Sequence, residues 1–115
     1  MTAAESLRER FLTLASTGRL MGSDNLSELS AMAISVSRDT KGSERILAYV
    51  LSYVFSSVSE ALNNRPVHLS EANMVESKLS DPVERAIHLL CTPGSNGQRM
   101  LAAENLINVQ EELGY

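Results

Sequence analysis

The chain has 115 residues, of which 43% are hydrophobic and 21% are charged, and its formal net charge is -4. This length is typical of one domain, and the composition excludes intrinsic disorder, which combines few apolar residues with a high net charge. From Glu60 onward eight acids outnumber four bases, whereas residues 1–59 hold six of each. Because carboxylates repel phosphates, this charge disfavours nucleic acid and anionic membrane as partners and leaves a basic protein partner open.

Two helices are predicted in the first forty residues. Thr2 and Glu5 have the spacing of a capping box, in which each residue satisfies a backbone N–H near the helix start. A second helix is predicted to begin near Asp24 or Asn25, where Asn25 and Glu28 repeat that spacing. Apolar residues recur on one side of each helix: Leu7, Phe11 and Leu14 in the first, and Leu26, Leu29, Ala33 and Val36 in the second.

The most apolar segment, about residues 43–62, predicts a helix at the centre of the core. Its two apolar stripes together cover most of a helical circumference, which is typical of a buried helix. The valines and aromatic residues between Ile46 and Phe55 would also suit a strand, but the continuing i, i+4 spacing to Leu62 favours the helix. Serines interrupt the segment, so no run of 18 apolar residues predicts a membrane span.

Three further helices are predicted in the second half. Ser70 is positioned to cap a short fourth helix. Asp81 caps a fifth, with Pro82 in its first turn and Glu84 as the glutamate of a capping box. Ser95 and Gln98 form another box before the last helix. The residues predicted to face inward on that last helix are Ala102, Ala103, Leu106, Ile107, Val109 and Leu113.

The predicted fold class is therefore all-α: a compact bundle of five to six helices forming a single domain over residues 1–115. Small residues recur every four positions on the second and third helices, and such rows allow two helix backbones to approach closely. We predict that the two helices cross there, the alternative being that one row faces solvent. The rows are Ser27, Ala31 and Ser35, and Ala48, Ser52 and Ser56.

Glu84, His88 and Cys91 lie at i, i+4 and i+7 and so share one side of a helix. Carboxylate, imidazole and thiolate can bind zinc, but three ligands on one short helix do not complete a tetrahedral site. The simpler interpretation is that Glu84 completes the helix cap, that His88 lies at the edge of the core and that Cys91 is a small buried residue. No catalytic, cofactor or phosphate-binding motif is present, so we predict neither an enzyme nor a metal or cofactor site.

Two features bear on location and on DNA binding. The N-terminus carries charges from Glu5 onward and has no apolar core, so it does not predict a signal peptide, and Cys91 has no partner for a disulfide. We expect a cytoplasmic protein.

The predicted fourth and fifth helices, joined through Ser80 and Asp81, have the length of a helix-turn-helix, but the acids around the second disfavour DNA binding.

These observations favour a non-enzymatic interaction protein. Its size and acidity resemble those of bacterial immunity proteins and antitoxin-like inhibitors, a likeness of composition only, which implies an inhibitor that occludes a basic effector. The acids expected to complement such a partner are Glu60, Glu71, Glu76, Asp81 and Glu84. The alternative is a self-associating scaffold or regulator, a homodimer with Tyr49, Tyr53 and Phe55 at its interface, because tyrosine joins a large apolar ring to a polar tip.

Overall fold

The computed structural model describes all 115 residues and contains five helices and no strand, which confirms the all-α class. Short links of three to six residues join consecutive helices, a length typical of antiparallel neighbours in a bundle. The helices are α1 (Ala3–Ser16), α2 (Ser23–Arg38), α3 (Gly42–Asn64), α4 (Leu69–Cys91) and α5 (Asn96–Leu113).

The relative directions of α2, α3 and α5 follow from contacts near their ends. Ser59, late in α3, donates to the Ser23 carbonyl at the start of α2, whereas Arg45, early in α3, donates to the Ser37 carbonyl at the end of α2. These two helices are therefore antiparallel. The starts of α3 and α5 meet where the hydroxyl of Ser43 bonds to the side chain of Asn96, so α3 and α5 run parallel.

Contacts between helices define the architecture. Helix α1 packs against α2 and α4, and α3 packs against the same two helices, so the first four helices form a ring. Helix α5 then packs against α3 and α4 on one side of this ring. One cluster of 25 buried apolar residues joins all five helices, and it includes the predicted inward stripes of α1 and α2.

Helix α3 spans 23 residues and covers the predicted segment, but one of its sides is open to solvent. It packs against α2, α4 and α5 and not against α1, and Ile46, Tyr49 and Tyr53 are exposed along it. By length and composition it is also the one helix apolar enough to cross a membrane, with 39% of its most apolar stretch buried in the bundle. Its opposite side lies in the core, where Leu47, Leu51, Val54 and Val58 are fully buried.

The division of residues 69–91 into two helices is wrong, because α4 continues through Pro82. A proline inside a helix removes one backbone hydrogen bond and costs about 3 kcal/mol. Burying one apolar side chain stabilises by about 1.5–3 kcal/mol, and a continuous buried stripe passes the proline, so burial outweighs the cost. The stripe is Val75, Leu79, Val83, Ile87 and Leu90. The chain therefore lacks the helix-turn-helix that the sequence suggested.

Two of the four predicted capping boxes form, and the fourth, Asp81 with Glu84, lies inside α4 and so caps no helix start. Those that form join Thr2 to Glu5 and Ser95 to Gln98. In the third, the Asn25 amide instead donates to the Arg19 carbonyl at 2.9 Å, and Glu28 pairs with Arg10 of α1. The Glu28 carboxylate, which the local pattern assigned to a helix cap, thus forms an ion pair between α1 and α2 instead.

Helices α2 and α3 contact each other closely, but not through the predicted row of α2, which faces solvent as the alternative had it. The predicted row of Ser27, Ala31 and Ser35 is exposed. The Ser30 hydroxyl lies instead 2.9 Å from both the carbonyl and the hydroxyl of Ser52, which is buried. On α3, Ala48 and Ser52 lie in the contact, whereas Ser56 is exposed.

Candidate interaction surface

A strip of large apolar side chains on α3 and α5 is open to solvent. Leu101 is 57% exposed, Tyr53 is 55% exposed and Tyr49 is 52% exposed, values far above those of the core. Such a run on neighbouring elements marks a candidate binding surface, whereas single exposed apolar residues are ordinary. We call it the α3–α5 face and define it as Ile46, Tyr49, Val50 and Tyr53 of α3 with Met100, Leu101, Glu104 and Ile107 of α5.

Helix α5 contributes to this face because it is apolar on two opposite sides. Its inward side is buried against α3 and α4, while its other apolar residues point outward. A helix that is apolar all round is ordinarily covered on all sides. The inward residues are Ala102, Ala103 and Leu106, and the outward ones are Met100, Leu101 and Ile107. The prediction that Ile107 faces the core is therefore wrong.

A groove of about 430 Å³ runs between the two helices in this face. Six of its eight lining residues are apolar, and Glu104 is the one charged residue among them. A second hollow of about 450 Å³, at the other end of α3, is lined by Tyr53, Glu60, Arg65 and Tyr115 among others. The surface thus combines apolar floor with isolated carboxylates, a pattern typical of recognition sites that use a few polar groups to orient a ligand.

The second hollow is bounded by a polar cluster that ties the end of α5 to the link between α3 and α4. Arg65 Nη2 donates to Glu71 Oε1 at 2.7 Å, and Tyr115 Oη donates to the same oxygen at 2.6 Å. The Arg65 guanidinium also lies 5.4 Å from the centre of the Tyr115 ring. The hydrogen bonds from Arg65 and Tyr115 lower the pKa of Glu71. The hydrogen bond between Tyr115 and Glu71 in turn raises the pKa of Tyr115.

Most bases of the second half are engaged within the molecule, whereas several acids are not. Arg65, Lys78 and Arg99 pair with Glu71, Glu112 and Glu44 respectively. Neither Glu104 of the α3–α5 face nor Glu60 of the neighbouring hollow takes part in any of the four ion pairs of the structure. Two carboxylates of the acidic second half, Glu60 and Glu104, are therefore free on this side of the molecule.

The structure does not bring the five predicted acids together. Glu60 lies beside the α3–α5 face, and Glu71 is engaged by the polar cluster. Asp81 lines a groove between α4 and α5, and Glu84 faces α1 beside Arg8. The fifth acid, Glu76 of α4, is partly buried. Since α4 directs these side chains to different sides, a single partner surface includes only some of them.

The three predicted interface aromatics divide into two groups. Tyr49 and Tyr53 lie one turn apart on the exposed side of α3, as a partner surface requires. Phe55 is 1% exposed and belongs to the core, so its assignment to an interface is wrong. Two residues after Tyr53, the helix has turned by more than half a circle, which places Phe55 on the opposite side.

The candidate zinc ligands lie in two different hollows. Glu84 and His88 line a small one with Arg8 and Phe11 of α1, whereas Cys91 lines another beside the start of α1. No three side chains of the types His, Cys, Asp or Glu converge to hold a metal ion. Partial burial raises the pKa of the Cys91 thiol, which disfavours the reactive thiolate at neutral pH.

Sequence reasoning missed Arg99, a buried base at the start of α5. Its guanidinium lies 3.6 Å from Glu44 and 3.5 Å from the carbonyl of Leu89 and the hydroxyl of Ser43, so it joins α3, α4 and α5. The outward apolar residues of α5 were also missed, although their spacing on a second side of the helix was a readable signal.

No protein-family model matches the chain, and no match is found among curated proteins or solved structures.

Proposed function

We propose that this chain is a non-enzymatic interaction protein that binds a basic partner protein through the α3–α5 face. In this proposal it acts as an inhibitor that occludes the partner, as bacterial immunity proteins and antitoxins do. The observation that carries the proposal is the contiguous apolar strip that α3 and α5 leave exposed around Glu104. Aromatic residues and methionine are enriched at the centres of protein interfaces, and this strip contains two tyrosines and a methionine.

Charge supports a basic partner rather than an acidic one. Glu104 and Glu60 have no partner base in the molecule, while the nearby Arg65 is already engaged by Glu71. Complementary charge around an apolar centre speeds association and fixes the orientation of the two proteins. A basic effector would therefore find both an apolar anchor site and free carboxylates on the same side of the chain.

A homodimer is the second candidate, and the exposure of Tyr49 and Tyr53 favours it. Symmetric dimers use the same patch on both subunits, and an apolar helix face is suited to this. Phe55 has no part in such an interface because it is buried. The two candidates use overlapping residues, so one experiment separates them.

Site-specific photocrosslinking in the source cells tests the proposal. A photoreactive phenylalanine analogue replaces Leu101 in the α3–α5 face, and in a matched control it replaces Ser27, which is exposed on α2. We expect a crosslink from position 101 to a second protein of basic charge, and none from position 27. Purified complex should then show loss of the partner's own activity.

Three outcomes would contradict the proposal. A crosslink only to another copy of this chain assigns the face to the homodimer. Equal crosslinking from positions 101 and 27 shows that the α3–α5 face has no preference for a partner. Absence of any crosslink from position 101 removes the face as the binding surface.

A further inference from the structure

Resting on the proposed function, we propose that the α3–α5 face binds one amphipathic helix of the partner. That helix presents apolar side chains at positions i, i+4 and i+7, with a lysine or arginine directed at Glu104. Three features of the face favour such a helix: the direction of α3 and α5, the length of their exposed strip and the position of its single charge.

The two helices form a groove of the kind that a third helix fills. Helices α3 and α5 run parallel, and α4 packs against both of them on the inner side of the pair. The solvent side of the same pair offers the groove lined by Ile46, Val50, Met100 and Ile107. Ridges of side chains on one helix pack into grooves on its neighbours, so a helix is the element that matches this surface.

The length of the apolar strip suits about two turns of a helix. Ile46 and Tyr53 are seven residues apart on α3, and Met100 and Ile107 are seven apart on α5. At 1.5 Å per residue each pair spans about 10 Å, the same distance that separates positions i and i+7 of a bound helix. Helix-in-groove recognition commonly uses anchors at this spacing.

The position of Glu104 determines which partner fits. It lies one turn after Met100 and Leu101 and one turn before Ile107, so it is in the middle of the outward side of α5. A bound helix that covers the apolar residues also covers this carboxylate. A lysine or arginine opposite Glu104 supplies a charge-assisted hydrogen bond, whereas an apolar side chain would leave a desolvated charge without a partner.

The same residue disfavours a second copy of this chain as the occupant. A two-fold axis that passes near Glu104 would bring two Glu104 carboxylates close together. Like charges at an interface oppose association, and no base lines the groove to separate them. A partner helix carrying its own base has no such conflict.

Selection from peptide libraries tests the proposal on the folded full-length protein. One library displays helices of about 16 residues, or about 24 Å, with randomised positions on one side, and a second carries prolines that prevent helix formation. Counter-selection uses the Leu101→Glu variant. Because Leu101 is exposed on α5, we expect this variant to fold, and circular dichroism checks that it does. A second selection uses Glu104→Lys, with Glu84→Lys as the control of equal charge change on the far side of α4.

We expect enrichment from the helical library alone. The enriched peptides should carry apolar residues at i, i+4 and i+7 together with a lysine or arginine, and should bind the wild type at least about tenfold more tightly than Leu101→Glu. Selection on Glu104→Lys should exchange the basic residue for aspartate or glutamate. Selection on Glu84→Lys should leave the preference for a basic residue unchanged.

Several results would overturn the proposal. These are equal enrichment from the proline library, equal binding to Leu101→Glu, or a charge preference that Glu104→Lys does not reverse. Sedimentation showing a dimer that Leu101→Glu dissociates would assign the face to a second copy. Binding to anionic lipid vesicles that the same change abolishes would assign it to a membrane. If photocrosslinking at position 101 still captures a basic protein, such a selection result refutes the helix and leaves the proposed function standing.

Discussion

Replacing Ser52 with leucine tests the close crossing of α2 and α3. Ser52 is 5% exposed, and its hydroxyl and carbonyl both lie 2.9 Å from the hydroxyl of Ser30 on α2. Leucine replaces the hydroxyl oxygen with carbon and adds two further heavy atoms at a point where serine side chains join the two helices. The helices must then separate, or the new side chain must adopt an unfavourable rotamer.

The expected loss of stability follows from two terms. Overpacking a buried site costs about 1–3 kcal/mol. Loss of the hydroxyl contact between Ser52 and Ser30 costs about 1 kcal/mol more. The sum is about 2–4 kcal/mol for Ser52→Leu. Ser52→Ala should cost about 1 kcal/mol or less, because Ser30 retains its hydrogen bond to the carbonyl of residue 52.

Ser56→Leu is the matched control, since Ser56 lies one turn later on α3 and is exposed. Its effect should stay within about 0.5 kcal/mol, as is usual for a surface substitution. Urea unfolding followed by far-UV circular dichroism measures the free energy of unfolding of all three variants. At about 4 °C per kcal/mol for a domain of this size, Ser52→Leu should also lower Tm by about 8–16 °C.

Equal urea midpoints for Ser52→Leu and Ser56→Leu would refute the reasoning. They would show that residue 52 has room for a larger side chain, and so that α2 and α3 are not in close backbone contact there. A large loss of unfolding free energy in Ser52→Ala would show that the contact between the Ser52 and Ser30 hydroxyls, rather than the close approach of the helices, is the main source of stability at this site.

Three further changes test other parts of the structure. Pro82→Ala should raise the free energy of unfolding by about 3 kcal/mol, because alanine restores a backbone hydrogen bond within α4; a neutral or destabilising result in chemical denaturation would favour a helix start at this residue. Phe55→Ala should cost about 3–5 kcal/mol by leaving a cavity, whereas Tyr53→Ala, at a half-exposed position, should cost about 1 kcal/mol or less; similar losses would contradict their placement on opposite sides of α3. Glu71→Gln should lower the pKa of Tyr115, since the nearby carboxylate disfavours the phenolate; an unchanged tyrosine titration by ultraviolet absorbance would show that the hydrogen bond is absent in solution.

Local patterns in the sequence determined the class of the fold. Apolar residues at helical spacing require one side of each helix to be buried whatever the neighbouring helix is, so Leu7, Phe11 and Leu29 could be assigned to the core without any knowledge of the topology. The capping boxes at Thr2 and Ser95 were predictable for the same reason, because a cap is a contact between residues three apart in the chain.

Only the tertiary structure decided which apolar residues remain in water. The sequence of α5 is apolar on two sides, and nothing local shows that α3 and α4 cover one side and leave Leu101 and Ile107 exposed. Burial of a stripe contributed by the whole core likewise carries α4 through Pro82, although proline beside Asp81 locally favours a new helix start. The spacing of apolar residues in the sequence identifies the apolar sides of a helix. Which of these sides is buried depends on how the other helices pack against it in the common core.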